Sequence, residues 1–378
     1  MIIGLLGFGT IGAGVYELAR QQQNLQVRYV LDIREIGVPE LTHQISDILE
    51  DPEVDTVVEV LGGLHPSYEF VSAALRAGKN VVTANKYLVA TYFEELTALA
   101  RKTGAAFRCT AAVGGGIGWL TALERVKRVE PVLSIEGIMN GTTNYILSNM
   151  ARNGLDFKTA LSEAQALGYA EADPSADIDG LDILHKLLLS ANVAFDVALP
   201  VEEIPVFGIR NLTDDDVWSF KSRGLVCKML GVARREGAQV AAYVQPTLLP
   251  EQSLTAAVPS NFNLISYETE YSGRMSFYGQ GAGRYPTAAN VVQDCLDLQN
   301  GVKNFYTLEG ARVSLNNELA HYRYYLRTKS SRSREVREET LGDGVLTKPL
   351  SVAQMSALMK TLKGEDGQAF AAAVQAWE

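Results

Sequence analysis

A glycine-rich turn near the start of the chain has the spacing of a dinucleotide-binding site. It follows an apolar strand pattern at 2–7, opens a helical pattern at 11–22, and reads Gly7-Phe8-Gly9-Thr10-Ile11-Gly12. In such a turn the first glycine permits the tight bend, the second lets backbone amides approach a pyrophosphate, and the third lets helix and strand pack closely. The pyrophosphate would lie at the helix N-terminus, where free N–H groups favour an anion. We therefore expect Gly7, Gly9, Thr10, Ile11 and Gly12 to bind a dinucleotide; the alternative is a glycine turn required for packing alone.

Asp32 bears on which dinucleotide is bound. It follows Gly12 by 20 residues, at the end of a second strand pattern, QVRYVLDI. A carboxylate at this position accepts a hydrogen bond from the ribose 2′-hydroxyl of NAD and repels the 2′-phosphate of NADP. Arg34, two residues further on, could instead turn toward a phosphate. The sequence therefore favours NAD, with NADP as the alternative.

Asp182 and Lys186, four residues apart on a helical pattern, could provide a paired carboxylate and ammonium. On an exposed helix such a pair contributes only ~0.3–0.5 kcal/mol. Here most of the neighbouring residues are leucine or isoleucine, which indicates a largely buried helix, and buried ionisable groups need partners or a chemical task. The preceding loop could supply the partners from four carboxylates: Glu171, Asp173, Asp177 and Asp179. From the residues alone, a structural charge network and a catalytic lysine remain equally open.

Two further segments could approach a ligand. Asn85-Lys86 follows the strand pattern KNVVTA, and ligands of open parallel sheets bind beyond the carboxyl ends of the strands. Lys86 would then point toward the cofactor crevice, unless it is a solvated loop lysine. The second segment, 278–283, is glycine-dense and precedes a helical pattern. It is either a close backbone approach to a ligand or a bulged turn.

The elements around these residues predict an α/β protein. Short strand patterns alternate with helical segments through the first part of the chain, which is typical of βαβ units and a mostly parallel sheet. After residue 131 the pattern changes to helices and meandering antiparallel strands. The segment 327–339 is poor in apolar residues, which indicates a solvated linker or surface loop. A short helical tail is predicted beyond it, at 351–377.

Composition excludes several classes of function. The net charge of −10 disfavours binding to nucleic acid or to an anionic membrane surface. The three cysteines form no metal or disulfide pattern, and the four histidines have no metal-binding spacing. The start of the chain has no basic segment of the kind that opens a signal peptide, and no apolar run is long enough to span a membrane. We therefore expect a cytoplasmic protein.

Read in order, the chain resembles homoserine dehydrogenases over residues 1–325. The strings that carry the resemblance are GFGTIG, VVEVLGG (57–63), AGKNVVTANKYLVA (77–90), VGGGI (113–117), GIMNGTTNYILSNM (137–150), AQALGYAEADPSADIDGLDILHK (164–186) and YGQGAGRYPTAANVVQD (278–294). The resemblance implies NAD(P)-dependent interconversion of L-homoserine and L-aspartate 4-semialdehyde, on the branch that leads to threonine and methionine. It also implies a homodimer or homotetramer. An oxidoreductase with a different hydroxy-amino-acid substrate and a non-catalytic dinucleotide sensor are the alternatives.

The resemblance also implies roles for individual residues. Lys186 matches the general acid and base that acts on the C4 oxygen of the substrate, and Lys86 matches a lysine near the nicotinamide. Glu171 and Asp182 match carboxylates that hold the substrate ammonium, and Asp177 matches a nearby acidic position. Four glycines match backbone approaches to cofactor or substrate: Gly62, Gly168, Gly281 and Gly283.

Two departures from the family pattern affect a monovalent-cation site. Thr110 stands where the family often has a glutamate that contributes to this site, and Gly118 stands where it has proline. The carbonyls of Val113, Gly115 and Ile117 could still face a cation, but the anionic ligand is missing. We therefore expect no firmly bound metal.

The resemblance and the patterns together predict the domain organisation. A Rossmann-type dinucleotide-binding domain is expected at 1–130, with a return segment at 284–325. An α+β domain for substrate binding and dimerisation is expected at 131–283. Residues 326–378 are expected to form a polar linker and a short tail, without the complete regulatory domain of many bacterial relatives. Feedback control by threonine is accordingly expected to be weak or absent.

Overall fold

The computed structural model describes residues 1–303 and 313–375 of the chain. Strands and helices alternate at the start: β1 Ile2–Leu6, α1 Thr10–Ala19, β2 Gln26–Leu31, β3 Leu41–Thr42, α2 Ile45–Leu49, β4 Thr56–Glu59, α3 Ser67–Arg76, β5 Asn80–Thr83, α4 Lys86–Thr103, β6 Phe107–Arg108 and α5 Trp119–Val126. The middle of the chain contains longer elements: β7 Val132–Ile138, α6 Gly141–Asn153, α7 Phe157–Ala166, α8 Ser175–Ile178, α9 Leu181–Phe195, α10 Asp214–Lys221, β8 Leu225–Glu236, β9 Gln239–Pro250, α11 Leu254–Ala257, β10 Phe262–Thr269, β11 Gly273–Gln280 and α12 Arg284–Gln299. The last described elements are β12 Ser314–Leu315, β13 His321–Arg327, α13 Ser333–Val336, β14 Arg337–Leu341, β15 Gly344–Thr347, β16 Leu350–Ser351, α14 Val352–Glu365 and β17 Phe370–Val374.

The chain divides into two compact units. The described residues of the first are 1–129, 188–198 and 279–303, and those of the second are 130–187, 199–278 and 313–375. The expected return segment is therefore shorter than 284–325, because residues 313–325 group with the second unit. Residues 304–312 and 376–378, which the expected segments also included, lie outside the described residues.

The first unit contains the parallel sheet that the alternating pattern predicts. Its strand order is β3-β2-β1-β4-β5-β6, and every neighbouring pair is parallel. Apolar side chains of the inner strands, among them Leu5, Val58 and Val82, are fully buried, and α12 contributes Val291 to the same core. The strand order reverses between β1 and β4, and ligands of such sheets bind beyond the carboxyl ends of the strands at this point. The turns after β1, β4 and β5 all lie at this edge.

The second unit is built on a mixed sheet with the order β11-β10-β7-β8-β9-β17-β13-β15-β14. Its centre is a long antiparallel hairpin in which β8 pairs with β9 from Leu225 with Pro250 to Glu236 with Gln239. On one side, β7 and β10 extend the antiparallel meander. An α+β architecture was expected for this part of the chain, and the fold class is confirmed.

The C-terminal expectation is wrong, because 337–374 is mostly sheet and helix and not a linker with a helical tail. The charged segment that looked like a linker contains β14, which is the last strand of the sheet order and leaves Arg337, Glu338 and Glu339 exposed. Edge strands commonly carry charges, because charged side chains discourage pairing with other chains. The predicted tail is helical only over α14, and its alanine-rich end forms β17, buried between β9 and β13.

The sequence predicts no membrane-spanning segment and no disulfide framework. Each helix in residues 1–303 and 313–375 is too short or too polar to cross a bilayer. Cys109, Cys227 and Cys295 are buried and free. Burial raises the pKa of all three thiols, because desolvation penalises the thiolate.

Candidate active site

The glycine turn after β1 has the conformation that its spacing predicts. Gly7 has a φ of +98°, in the region that favours glycine, and its N–H donates to the carbonyl of Leu31 at 2.8 Å. A Cβ on Gly12 would come within 2.0 Å of the Gly7 carbonyl oxygen, so only glycine fits there. Among the described residues, and apart from its chain neighbours, no atom lies within 4 Å of a Cβ placed on Gly9. Gly7 and Gly12 are therefore required by the turn itself, whereas Gly9 leaves space for a ligand; its contact with a cofactor stays a prediction.

Asp32 and Arg34 form one hydrogen-bonded group beside this turn. The Arg34 Nε and Nη2 atoms each donate to one Asp32 carboxylate oxygen at 2.9 Å. The backbone N–H groups of Phe8 and Arg34 donate to the same two oxygens at 2.9 and 3.0 Å. These donors, led by the Arg34 side chain, hold the pKa of Asp32 well below its usual range. The carboxylate is therefore ionised and already largely neutralised by an exposed guanidinium.

Glu59, at the end of β4, organises the neighbouring turns. Its side chain is 0% exposed and accepts hydrogen bonds from the N–H of Gly62 at 3.3 Å and from Thr83 Oγ1 at 2.5 Å. Asn85 Nδ2 donates to Glu59 at 3.3 Å and to the carbonyl of Gly63 at 2.7 Å. This network joins the turn after β4 to the turn after β5. This network was not predicted from the sequence, although a single carboxylate within the apolar string VVEV indicates a buried acidic side chain.

Lys86 follows this network directly. It is the first residue of α4, and Asn85 caps the helix by accepting a hydrogen bond from the N–H of Leu88. The side chain of Lys86 is half-buried. The predicted position beyond a carboxyl strand end is therefore confirmed, while its catalytic role stays a prediction.

The loop 110–118 is held by side chains of α12. Asn290 Nδ2 donates to the carbonyl of Gly115 at 2.7 Å, and Thr110 Oγ1 donates to Asn290 Oδ1 at 3.1 Å. The Thr110 N–H donates to Asp294 Oδ2 at 2.9 Å. One of the carbonyls that could have faced a cation is thus bound by an amide. Within the described residues, no three His, Cys, Asp or Glu side chains are grouped to hold a metal ion.

Gly281 and Gly283 lie against this loop. A Cβ on Gly115 would come within 2.9 Å of the Gly281 carbonyl carbon, so the two backbones touch. Gly283 has a φ of +122° and is the N-cap of α12. The positive φ of Gly283 is a structural reason for glycine at that position, and the approach of Gly281 and Gly283 to a cofactor stays a prediction.

In the second unit, Lys186 is the centre of a buried polar cluster. It is 7% exposed, and its Nζ donates to Asp182 Oδ2 at 2.7 Å and to the carbonyl of Met139 at 2.7 Å. The helical spacing correctly predicts that Asp182 and Lys186 share one face of α9. The Met139 carbonyl could not be inferred, because 47 residues separate it from Lys186.

Asn140 connects the carboxylates of this cluster. Its Nδ2 donates to Asp182 Oδ2 at 2.8 Å and to Asp177 Oδ1 at 2.6 Å. Its Oδ1 accepts a hydrogen bond from the N–H of Thr143 at 2.8 Å and so caps α6. Asn140 was missed as a site residue, because the string Asn-Gly-Thr-Thr is typical of a helix start and gives no sign of the second use of the amide.

The electrostatics of Asp177 reflect its position at this cluster. Burial raises the pKa of the Asp177 carboxyl, and the charge of Asp182 raises it further. The Asn140 amide and the charge of Lys186 act in the opposite direction. Two acidic side chains thus share one amide and one ammonium, an arrangement that attracts a further cation such as a substrate ammonium.

Among the contacts given for the described residues, none connects Glu171 or Gly168 to this cluster. Glu171 is exposed, and its backbone carbonyl accepts a hydrogen bond from Gln165 Nε2 at 3.0 Å. Gly168 has a φ of +75° and follows the last turn of α7. The substrate role of Glu171 and the ligand contact of Gly168 stay predictions.

Comparisons with known proteins agree with this combination of sites. Residues 119–296 match the sequence model of the homoserine dehydrogenase family, and residues 7–110 match that of the homoserine dehydrogenase NAD-binding domain. The homoserine dehydrogenase of Bacillus subtilis is 38% identical over 317 residues, which cover 80% of this chain and 73% of the relative.

Solved structures show the same likeness. The crystal structure of a homoserine dehydrogenase from Thiobacillus denitrificans matches with a TM-score of 0.88 and 32% identity, over 99% of this chain and 98% of that one. A hyperthermophilic archaeal homoserine dehydrogenase in complex with NADPH shares the fold, with a TM-score of 0.70 and 24% identity over 80% of this chain and 99% of that one. The family models, the curated relative and the fold agree, and the chain belongs to the homoserine dehydrogenase family of oxidoreductases.

Proposed function

We propose that Lys186 exchanges the proton in the reaction of this homoserine dehydrogenase, the interconversion of L-homoserine and L-aspartate 4-semialdehyde. The observation that carries the proposal is the buried ammonium of Lys186, held by Asp182 and by the Met139 carbonyl. Two fixed acceptors therefore orient the amine toward one reacting atom.

The chemistry of the aldehyde needs such a group. A bound nicotinamide cofactor supplies the hydride that reduces the aldehyde carbon. As the C4 oxygen becomes an alkoxide, the Lys186 ammonium stabilises its charge and transfers a proton to it, which leaves a neutral amine and the alcohol. In the oxidation of homoserine, the neutral amine removes the proton from the hydroxyl group. Asp182 stabilises the ammonium form at each stage.

The substrate ammonium is assigned to the same acidic cluster. Asp177 and Asp182 are proposed to accept its N–H groups, with Asn140 fixing the distance between the two carboxylates. Glu171 is proposed as a further carboxylate from the exposed loop, on the strength of the family likeness alone. Lys86 is proposed as the catalytic lysine of the first unit, supported by its position at the carboxyl edge of the parallel sheet.

The function is tested by measuring the reduction of NAD by L-homoserine and by other short hydroxy-amino acids. We expect L-homoserine to have the highest kcat/KM of the series, because the carboxylate pair and the lysine match an α-ammonium and a C4 hydroxyl. A clear preference for another hydroxy-amino acid would show that the substrate differs. Binding of NADH without any turnover would instead identify a dinucleotide sensor.

We propose that the enzyme uses NAD and also accepts NADP, with Asp32 and Arg34 setting the ratio. Asp32 lies beside the glycine turn, where the NAD interpretation requires a carboxylate, and accepts a hydrogen bond from the Phe8 N–H. Its charge, however, is largely neutralised by Arg34, whose exposed guanidinium suits a 2′-phosphate. The NADPH complex of the archaeal relative shows that this fold can hold the phosphorylated cofactor.

Replacing Arg34 with alanine is expected to reduce kcat/KM for NADP by about tenfold or more, since a charge-assisted hydrogen bond contributes about 1.5–3 kcal/mol. The value for NAD should change much less, because Asp32 remains. Steady-state kinetics with both cofactors measure the ratio. Arg28→Ala is the matched control, because Arg28 pairs with Asp51 and Glu53 in the same unit. An equal loss for both cofactors would contradict the assignment.

The loop 110–118 does not fit a monovalent cation in the manner of the family, and we propose that none is firmly bound. Thr110 supplies no charge, and the Asn290 amide already binds the Gly115 carbonyl. No step of the reaction is therefore assigned to a cation.

Activity is expected to be unchanged when sodium and potassium are replaced by tetramethylammonium at constant ionic strength. The double variant Thr110→Glu with Asn290→Ala supplies a carboxylate and frees the Gly115 carbonyl, and its activity should then depend on the small cation. Measuring initial rates for both proteins in the three chloride salts makes the comparison. Strong activation of the unmodified enzyme by potassium or sodium would contradict the proposal.

Assembly and location are proposed from the likeness to the family. We propose a homodimer or a homotetramer formed through the sheet of the second unit, where the edge strand β11 leaves Met275 and Tyr278 exposed. A cytoplasmic location is proposed from the biosynthetic chemistry. Light scattering coupled to gel filtration determines the number of subunits.

A further inference from the structure

A cavity of about 390 Å³ lies within the second unit, apart from the cluster around Lys186. It is bounded by the C-terminal part of α6, by α10, by the start of β8 and by α11. None of the residues assigned to the dehydrogenase reaction lines it. Its volume falls in the ~300–1,000 Å³ range of small-molecule pockets.

The charges around this cavity are opposite to those of the whole chain. Three cationic side chains line it, Arg152, Lys221 and Lys228, against the single carboxylate of Glu251. The chain as a whole carries a net charge of −10. A concave surface with this local excess of positive charge attracts an anion.

Lys228 is an unusual component of the wall. It is 1% exposed, and its Nζ donates to Asn144 Oδ1 and to the Val258 carbonyl at 2.7 Å, and to Ser148 Oγ at 3.1 Å. All three acceptors are neutral, so the ammonium charge has no carboxylate partner among these contacts. Burial and the nearby Arg152 lower the pKa of Lys228 to about 7. An anion in the cavity would supply the missing negative charge.

Arg152 and Lys221 are placed to contact a ligand at the rim. Both are exposed, at the last turns of α6 and α10. Arg152 Nη2 donates to the carbonyl of Ala257 at 2.9 Å, and Lys221 Nζ donates to that of Ala151 at 3.4 Å. These contacts hold both cations over the cavity while leaving further N–H groups of each side chain for an anion.

The remaining walls are apolar, which narrows the class of ligand. Leu147, Val217, Phe220 and Leu225 line the cavity. A phosphate dianion has no apolar part that could pack against these side chains, and Glu251 would repel its second negative charge. A monocarboxylate with an apolar body matches both parts of the cavity, because its charge can face the cations while its hydrocarbon part packs on leucine and phenylalanine.

We propose that this cavity is a second ligand site of the enzyme, for a small carboxylic acid with an apolar body. The carboxylate faces the three cations of the wall, Arg152, Lys221 and Lys228, and the hydrocarbon part lies against Leu147 and Phe220. The site is independent of the assignment of Lys186. Because α6 is capped by Asn140 at its other end, the same helix contributes to this site and to the acidic cluster.

Calorimetric titration with 4-methylpentanoate tests the proposal. We expect saturable binding to the full chain, and a higher melting temperature in its presence. 4-Methylpentan-1-ol and 3-methylbutylamine, which have a similar apolar body without the carboxylate, should not bind. Inorganic phosphate should bind more weakly than the carboxylate. Absence of saturable binding, or tighter binding of phosphate, would overturn the proposal.

Two variants locate the binding site. Arg152→Gln with Lys221→Gln removes the rim cations and is expected to weaken binding by about tenfold or more, since each charge-assisted hydrogen bond is strong. Ala257→Trp, at an exposed lining position, should block the cavity. Lys158→Gln, an exposed lysine on α7, is the matched control and should bind as the unmodified enzyme does. Homoserine oxidation and thermal unfolding confirm that each variant is folded, and unchanged binding in both cavity variants would overturn the proposal.

Discussion

Replacing Lys186 with alanine is expected to lower kcat for homoserine oxidation by a factor of about 10²–10⁴, the usual contribution of general acid–base catalysis. The variant loses the group that removes the hydroxyl proton and that stabilises the alkoxide in the reverse direction. Steady-state kinetics in both directions measure the loss. The fluorescence of bound NADH should report nearly unchanged affinity, because Lys186 and the glycine turn belong to different compact units.

Lys186→Arg is the informative companion to this variant. The guanidinium keeps a positive charge beside Asp182, but it does not lose its proton in proteins. We expect Lys186→Arg to remain folded and to stay strongly impaired in kcat. If arginine restores the rate, Lys186 contributes charge only; if alanine leaves kcat near the normal value, Lys186 is not the catalytic lysine.

Replacing Arg108 with methionine is expected to reduce the free energy of unfolding by about 3–5 kcal/mol, because it leaves buried carboxylates without their cation. Arg108 is 0% exposed, and its guanidinium donates to Asp294 and Asp297 at 2.8 Å each. Burial already raises the pKa of Asp294, and Arg108 is the main influence that lowers it. Thermal and denaturant unfolding of the whole chain measure the loss.

A double variant distinguishes the effect of the unpaired charge from the effect of lost packing. Arg108→Met combined with Asp294→Leu removes both members of the closest pair, and we expect it to be more stable than Arg108→Met alone. Because Asp294 also accepts the Thr110 N–H, part of the loss should remain. The exposed pair of Arg323 and Glu338 provides the control, since Arg323→Met should change stability by less than about 1 kcal/mol. If Arg108→Met is as stable as that control, the buried network does not hold β6 to α12.

The features that could be predicted from the sequence are those whose physical cause is local. Gly7 and Gly12 were correctly interpreted because a positive φ and a close backbone contact are requirements of the turn itself. The parallel sheet was correctly predicted because alternating strand and helix patterns leave few other arrangements. The shared face of Asp182 and Lys186 follows from helical periodicity alone.

The features that were missed depend on pairing between distant segments. β17 has an alanine-rich sequence with a high helical propensity, and it became a strand because β9 and β13 supply hydrogen bonds on both sides. β14 is charged because it is an edge strand, and a charged edge strand and a solvated linker have the same composition. No local pattern distinguishes these cases.

The sequence by itself determined the family, the glycine turn, the parallel sheet, and the spacing of Asp182 and Lys186 on one helix. Only the tertiary structure decided which groups complete each site: the Met139 carbonyl at Lys186, Asn140 between two carboxylates, and Asn290 at the Gly115 carbonyl, 175 residues away. The physical reason is that backbone conformation and helical periodicity act within a few residues. A hydrogen bond between distant segments forms only where the packing of the whole unit brings donor and acceptor within about 3 Å of each other.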